Sequence, residues 1–85
     1  MNRLQDKVAI VTGGTSGIGL RTVEVFADEG AKVVFSGRRE KEGREISDRL
    51  GESVSFVRAD ASVEADMQSL ITGTADKYGK LDCLF

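Results

Sequence analysis

The chain has 85 residues, enough for one small domain, and a domain of this size buries only about 60–65% of the surface its unfolded form exposes. A composition of 40% hydrophobic and 31% charged residues is too apolar for disorder and too charged for a membrane protein, and no apolar run nears the ~20 residues that cross a bilayer. Twelve basic against fourteen acidic residues leave a net charge of −2, which argues against nucleic-acid binding by a basic surface. The absence of histidine excludes a histidine-based triad or zinc site within these residues, and Cys83 alone makes neither an internal disulfide nor a thiolate cluster. With Met1–Lys7 lacking an apolar stretch, no secretory leader is expected, and a reducing cytoplasm is the default compartment. Any chemistry must rest on backbone groups, hydroxyls, carboxylates, Lys or Arg.

The first apolar run, Val8-Ala9-Ile10-Val11, predicts a strand, and Lys32-Val33-Val34-Phe35 predicts a second. Both are β-branched and nearly continuous, as strands of a parallel sheet covered on both faces are. Between them, Ile18, Thr22, Val25 and Phe26 recur at spacings of three and four over Gly17 to Glu29, predicting a helix with that stripe inward. Glu40 to Leu50 predicts a mostly solvated helix with Ile46 and Leu50 inward, weakened by Gly43. Val54-Ser55-Phe56-Val57 predicts a third strand. A third helix is expected from Val63 to Tyr78, with Ser62 as its N-cap and Val63, Met67, Leu70, Ile71 and Tyr78 on one face. Leu81 to Phe85 predicts a fourth strand with Cys83 as a core residue. Gly30, Gly51 and Gly79 follow the three helices, where glycine adopts the left-handed conformation that ends a helix. The chain therefore reads β-α-β-α-β-α-β, an α/β fold with a parallel sheet and right-handed crossovers.

The first strand runs into Thr12-Gly13-Gly14-Thr15-Ser16-Gly17-Ile18-Gly19, with a helix behind it. Strand, glycine-rich turn and helix together predict a phosphate-binding turn, because Gly13 permits the tight bend while Gly17 and Gly19 remove side chains where a pyrophosphate must approach. The helix N-terminus supplies free N–H groups and a favourable dipole, and Thr15 and Ser16 add hydroxyl donors. The spacing Gly-x-x-x-Gly-x-Gly differs from the Gly-x-Gly-x-x-Gly of ordinary Rossmann dehydrogenases and from the Walker A loop.

The second strand of a dinucleotide-binding unit ends beside the adenosine ribose, where an acidic residue grips the 2′-hydroxyl of NAD. Here that place is Gly37, eighteen residues past Gly19, followed by Arg38 and Arg39. A guanidinium pairs well with a 2′-phosphate, which favours NADP. The competing reading makes both arginines part of a charged helix start, since residues 38–49 hold five basic and four acidic side chains. Asp60 ends the third strand at the carboxyl edge of the sheet, where ligands bind in such folds, and it is equally placed to cap the turn before Ser62.

Thr12-Gly13-x-x-x-Gly17-x-Gly19, Val34-Phe35-Ser36-Gly37-Arg38-Arg39 and Asp60, in this order, closely resemble the short-chain dehydrogenase/reductase family, and the resemblance covers the whole chain. It implies a Rossmann-like doubly wound parallel sheet, of which residues 1–85 form the N-terminal part of a single dinucleotide-binding domain. Ile18, within the turn, joins the implied cofactor contacts; Asp60 is implied to accept a hydrogen bond from the adenine amino group, with the backbone of Ala61 beside it. The implied activity is hydride transfer between a nicotinamide cofactor, NADP(H) rather than NAD(H), and a small alcohol or carbonyl substrate, in a protein that forms homo-oligomers when complete. The family's catalytic serine and Tyr-x-x-x-Lys pair are not found: Tyr78 is the only tyrosine, Asp82 stands four residues after it, and the Asn-Asn-Ala-Gly turn expected after the fourth strand does not occur. The 85 residues by themselves are therefore expected to be inactive, and a non-catalytic nucleotide-binding module is the alternative.

Overall fold

The computed structural model describes residues 5–13 and 17–84. Four parallel strands alternate with three helices: β1 (Val8–Thr12), α1 (Gly17–Asp28), β2 (Lys32–Gly37), α2 (Glu40–Leu50), β3 (Val54–Arg58), α3 (Glu64–Tyr78) and β4 (Cys83–Leu84). The strand order is β3-β2-β1-β4, with Val8 opposite Lys32, Val33 opposite Val54, and Ala9 opposite Cys83. β1 lies between the strand that precedes it in this order and the one that follows it. The chain therefore reverses its direction of winding at β1, and the carboxyl ends of the strands open a crevice there.

The continuous apolar runs of β1 and β2 are buried on both faces because side chains alternate across a strand. Val11, Val33, Phe35 and Val54 point to one face and pack with Val23 and Ala31, against which Phe26, Ala27, Ile46 and Leu50 close from α1 and α2. Ile10 and Val34 point to the other face and meet Leu70, flanked by Met67, Ile71, Tyr78 and Leu81. Phe35 and Phe56 add a tilted aromatic pair with ring centroids 5.2 Å apart.

Several local expectations are corrected. Of the stripe expected on α1 only Phe26 packs inward, joined by Val23 and Ala27, whereas Ile18 is 80% exposed and Val25 lies outward with it. Both stripes have helical spacing, and the sheet selects the one that faces Val33 and Phe35. Gly43 does more than weaken α2. It is buried, and a Cβ there would overlap the Phe56 ring, so the glycine sets how closely α2 approaches β3. Ser62 does not cap α3: the N-cap is Val63, with extended backbone and no side-chain cap, because the Ser62 hydroxyl is drawn to the Asp60 carboxylate. Val63 is itself 42% exposed, outside the inward face of α3. Gly79 ends α3 in the left-handed conformation, while Gly51 combines φ 98° with an extended ψ of −169° and is not a left-handed cap. Cys83 is half-buried instead of central to the core, since β4 closes one side of the sheet. Among the described residues no helix is long and apolar enough to cross a membrane.

Candidate functional site

The crossovers bring the ends of β1, β2 and β3 to one edge, where Gly13, Gly37, Arg38, Arg39, Ala59, Asp60, Ala61 and Ser62 line an open cleft of about 520 Å³. Its floor is backbone. Gly37 is buried at the end of β2, and its carbonyl accepts the Ala59 N–H at 3.1 Å, holding the segment after β3 against β2. Gly13 has φ +69° and Gly17 φ +61°, the left-handed region that side chains other than glycine seldom adopt, and among the described residues nothing lies within 4 Å of where either Cβ would stand. The two glycines that bound the turn thus carry no side chain toward the edge.

Three side chains set the electrostatics. Arg39 is the N-cap residue of α2, and its guanidinium lies 3.4 Å from Glu42, one turn on. That pair is exposed and lies within the helix start. Arg38 is exposed at the cleft and forms no ion pair or hydrogen bond with other described residues. Asp60 is held in a tight turn: Oδ1 accepts the Ser62 N–H at 2.9 Å and the Ser62 hydroxyl at 2.7 Å. Those bonds, the hydroxyl first, hold its carboxyl below the ordinary value near 3.8; desolvation opposes them, and the charges of Arg38 and Arg58 add to them. Asp60 is therefore an anion at neutral pH, with its second oxygen left over. A ligand here would find Gly13 at one end, the exposed Arg38 guanidinium beside β2, and the Asp60 carboxylate beyond β3.

Gly13, Gly37, Arg38, Arg39, Asp60 and Ala61 thus meet at one cleft. Gly17 and Gly19 stand in the first turn of α1, adjacent in the chain to the glycine turn. Ile18 instead lines a separate apolar groove on α1 with Arg21, Thr22, Val25 and Phe26. Thr15 and Ser16 lie outside the described residues. Ala59 and Ser62 were not among the expected site residues; for Ser62 the signal was present, since Asp-x-Ser is the pattern of a side chain accepting the N–H two residues on. Tyr78 is remote from the cleft, at the far end of α3, where it packs on the Ile10–Val34–Leu70 cluster with the Lys77 ammonium 5.2 Å from its ring centroid. Among the described residues no three His, Cys, Asp or Glu side chains are grouped to hold a metal ion.

Comparison with known proteins bears on this arrangement directly. A family model described as short chain dehydrogenase matches residues 7–85. A synthase from Melia azedarach, named (21S)-21-acetoxyl-apo-melianone synthase SDR, is 51% identical over 83 residues, covering 98% of this chain and 31% of its own length. A 3-beta-hydroxysteroid dehydrogenase from Comamonas testosteroni is 47% identical over 83 residues, again 98% of this chain and 33% of that protein. The crystal structure of a 3-ketoacyl-(acyl-carrier-protein) reductase from Brucella melitensis complexed with NADH superposes with a TM-score of 0.89 at 37% identity, over 95% of this chain and 33% of that one. The chain spans about a third of the length of these relatives. With the glycine turn, the strand order β3-β2-β1-β4 and the family match all covering the same residues, the chain belongs to the short-chain dehydrogenase family.

Proposed function

We propose that residues 1–85 form the dinucleotide-binding part of an oxidoreductase that uses NADP(H) in preference to NAD(H), exchanging hydride with a small alcohol or carbonyl substrate. The residues present fit such a cofactor. Two positive-φ glycines leave open space where a Cβ would otherwise project, so the pyrophosphate can approach the backbone of the turn and the N-terminus of α1. The free Asp60 oxygen would accept the adenine amino group, with the Ala61 backbone alongside. When bound, the cofactor supplies the hydride donor or acceptor at its nicotinamide ring. These residues hold and orient it; no Tyr-x-x-x-Lys pair is among them to move the accompanying proton.

The observation that carries the NADP preference is the division of labour between the two arginines. Arg39 pairs with Glu42, Arg38 at the cleft has no ion-pair partner among the described residues, and the end of β2 offers Gly37 where a 2′-hydroxyl would need a carboxylate. A 2′-phosphate beside Arg38 gains a charge-assisted pair, and with no acidic residue at position 37 nothing there repels it. Titration of the purified protein with NADPH and NADH tests this. Arg38→Ala should weaken NADPH binding by roughly 1.5–3 kcal/mol and leave NADH nearly untouched. Gly37→Asp should shift preference toward NADH. Equal losses for both cofactors in Arg38→Ala would make the arginine structural.

A further inference from the structure

The turn that carries Asp60 is short and largely exposed, with Ala61 and Ser62 open to solvent, yet almost every polar group of Asp60 is pinned. Its carbonyl accepts the Val63 N–H at 2.9 Å. Its Oδ1 takes both Ser62 bonds. Its backbone N–H, in a partly buried position, donates to Oδ2 of Asp66 at 3.0 Å, and Asp66 is the third residue of α3. Among the described residues only the Oδ2 of Asp60 has no donor. The groups that face Asp60 are thus Ser62 from its own turn, Asp66 from α3, Arg38 after β2 and Arg58 at the end of β3. The Asp66 oxygen engages the Asp60 N–H, leaving the Asp60 carboxylate to Ser62 and the cleft.

We propose that Asp66 is a positioning residue for base recognition. By accepting the Asp60 N–H it ties the turn to the first turn of α3 and, with Ser62 fixing Oδ1, aims Oδ2 at the exocyclic amine of adenine. This rests on the dinucleotide-binding reading above and deepens it, because Asp66 lies outside the cleft lining and acts through Asp60. Ser62 holds the Asp60 carboxyl through Oδ1 while Asp66 holds the backbone that carries it, so the acceptor stands in place before the base arrives.

The probe is NADPH against its deaminated analogue, in which hypoxanthine replaces adenine and an oxygen replaces the amine. Dissociation constants are measured for the full chain and its variants. The unaltered protein should prefer the adenine form at least tenfold, since the analogue sets an acceptor against a carboxylate. Asp66→Ala should reduce that ratio below threefold. Asp66→Asn, whose amide oxygen accepts the same N–H, should keep most of it. Ser62→Ala, a surface change expected to fold, should lower the ratio at least threefold. A merely structural defect would weaken both dinucleotides together and leave the ratio where it was; that result in Asp66→Ala, or in Ser62→Ala should the former not fold, overturns the proposal. So does Asp66→Asn losing discrimination as fully as Asp66→Ala. An unaltered protein that binds both forms equally also overturns it while leaving the dinucleotide reading standing, whereas one that binds neither overturns that reading as well.

Discussion

Two aspartates flank the sheet at opposite edges, and they use their charge differently. Asp82, just before β4, accepts the Val8 N–H at 2.8 Å, lies 3.3 Å from the Lys80 ammonium, and returns its own N–H to the Val8 carbonyl at 2.9 Å. Both carboxyls are held below their ordinary value, Asp82 first by the Val8 N–H and then by Lys80, Asp60 first by Ser62. At the amino edge the donors come from another strand and a neighbouring lysine, so the carboxylate stitches β4 to β1. At the carboxyl edge they come from the residue's own turn and occupy one oxygen of two. A depressed carboxyl alone therefore says little about function; where its partners come from says more.

The sharpest way to separate fold from site lies away from both edges. Gly43→Val would force two methyl groups against the Phe56 ring, and overpacking of this kind should cost about 3 kcal/mol of stability, read from the denaturant midpoint. A midpoint unchanged by this substitution would mean that α2 moves off β3 freely.

At the carboxyl edge, Gly17→Val should raise the dinucleotide dissociation constant more than tenfold, over ~1.4 kcal/mol. The φ of +61° adds a folding penalty of about 1–2 kcal/mol for a residue with a Cβ, so circular dichroism must accompany the titration. Unaltered affinity in a folded variant would remove the turn from the site.

At the amino edge the expected effect is smaller and appears in pH. A carboxyl whose folded value lies below its unfolded value near 3.8 stabilises the fold above that value, and the contribution is lost as pH falls through the folded value. Asp82→Asn should therefore lower stability at neutral pH and flatten the fall in stability from about pH 5 downward, while leaving dinucleotide affinity unchanged. An identical acid limb in the variant would show that Lys80 and Val8 do not depend on the charge.

The weakest effect is association. Leu84 is 55% exposed on β4, which pairs with β1 through only two residues. An unpaired strand edge with apolar side chains templates pairing with another chain, so the 85-residue polypeptide should self-associate in sedimentation runs. Leu84→Lys should reduce that association.

The amino-acid sequence by itself determined the alternation of elements and the glycine turn, because both rest on local physics. Apolar runs bounded by glycine form strands or helices according to their period, and the Gly13 and Gly17 conformations follow from the need to turn sharply between β1 and α1. The resemblance carried by Gly13, Gly17, Gly19 and Asp60 was legible for the same reason. Only the tertiary structure decided which stripe of α1 faces the sheet, since Ile18-Thr22-Val25-Phe26 and Val23-Phe26-Ala27 both have helical spacing, share Phe26 and differ by a rotation about it. It also decided that Gly43 is a contact with Phe56, thirteen positions away in the chain, and that Arg39 pairs with Glu42 while Arg38 has no such partner among the described residues. Asp82 reaching Val8 across 74 residues is the extreme case: a hydrogen bond between distant segments leaves no periodic trace in either, and it exists only once the crossovers have laid the two strands side by side.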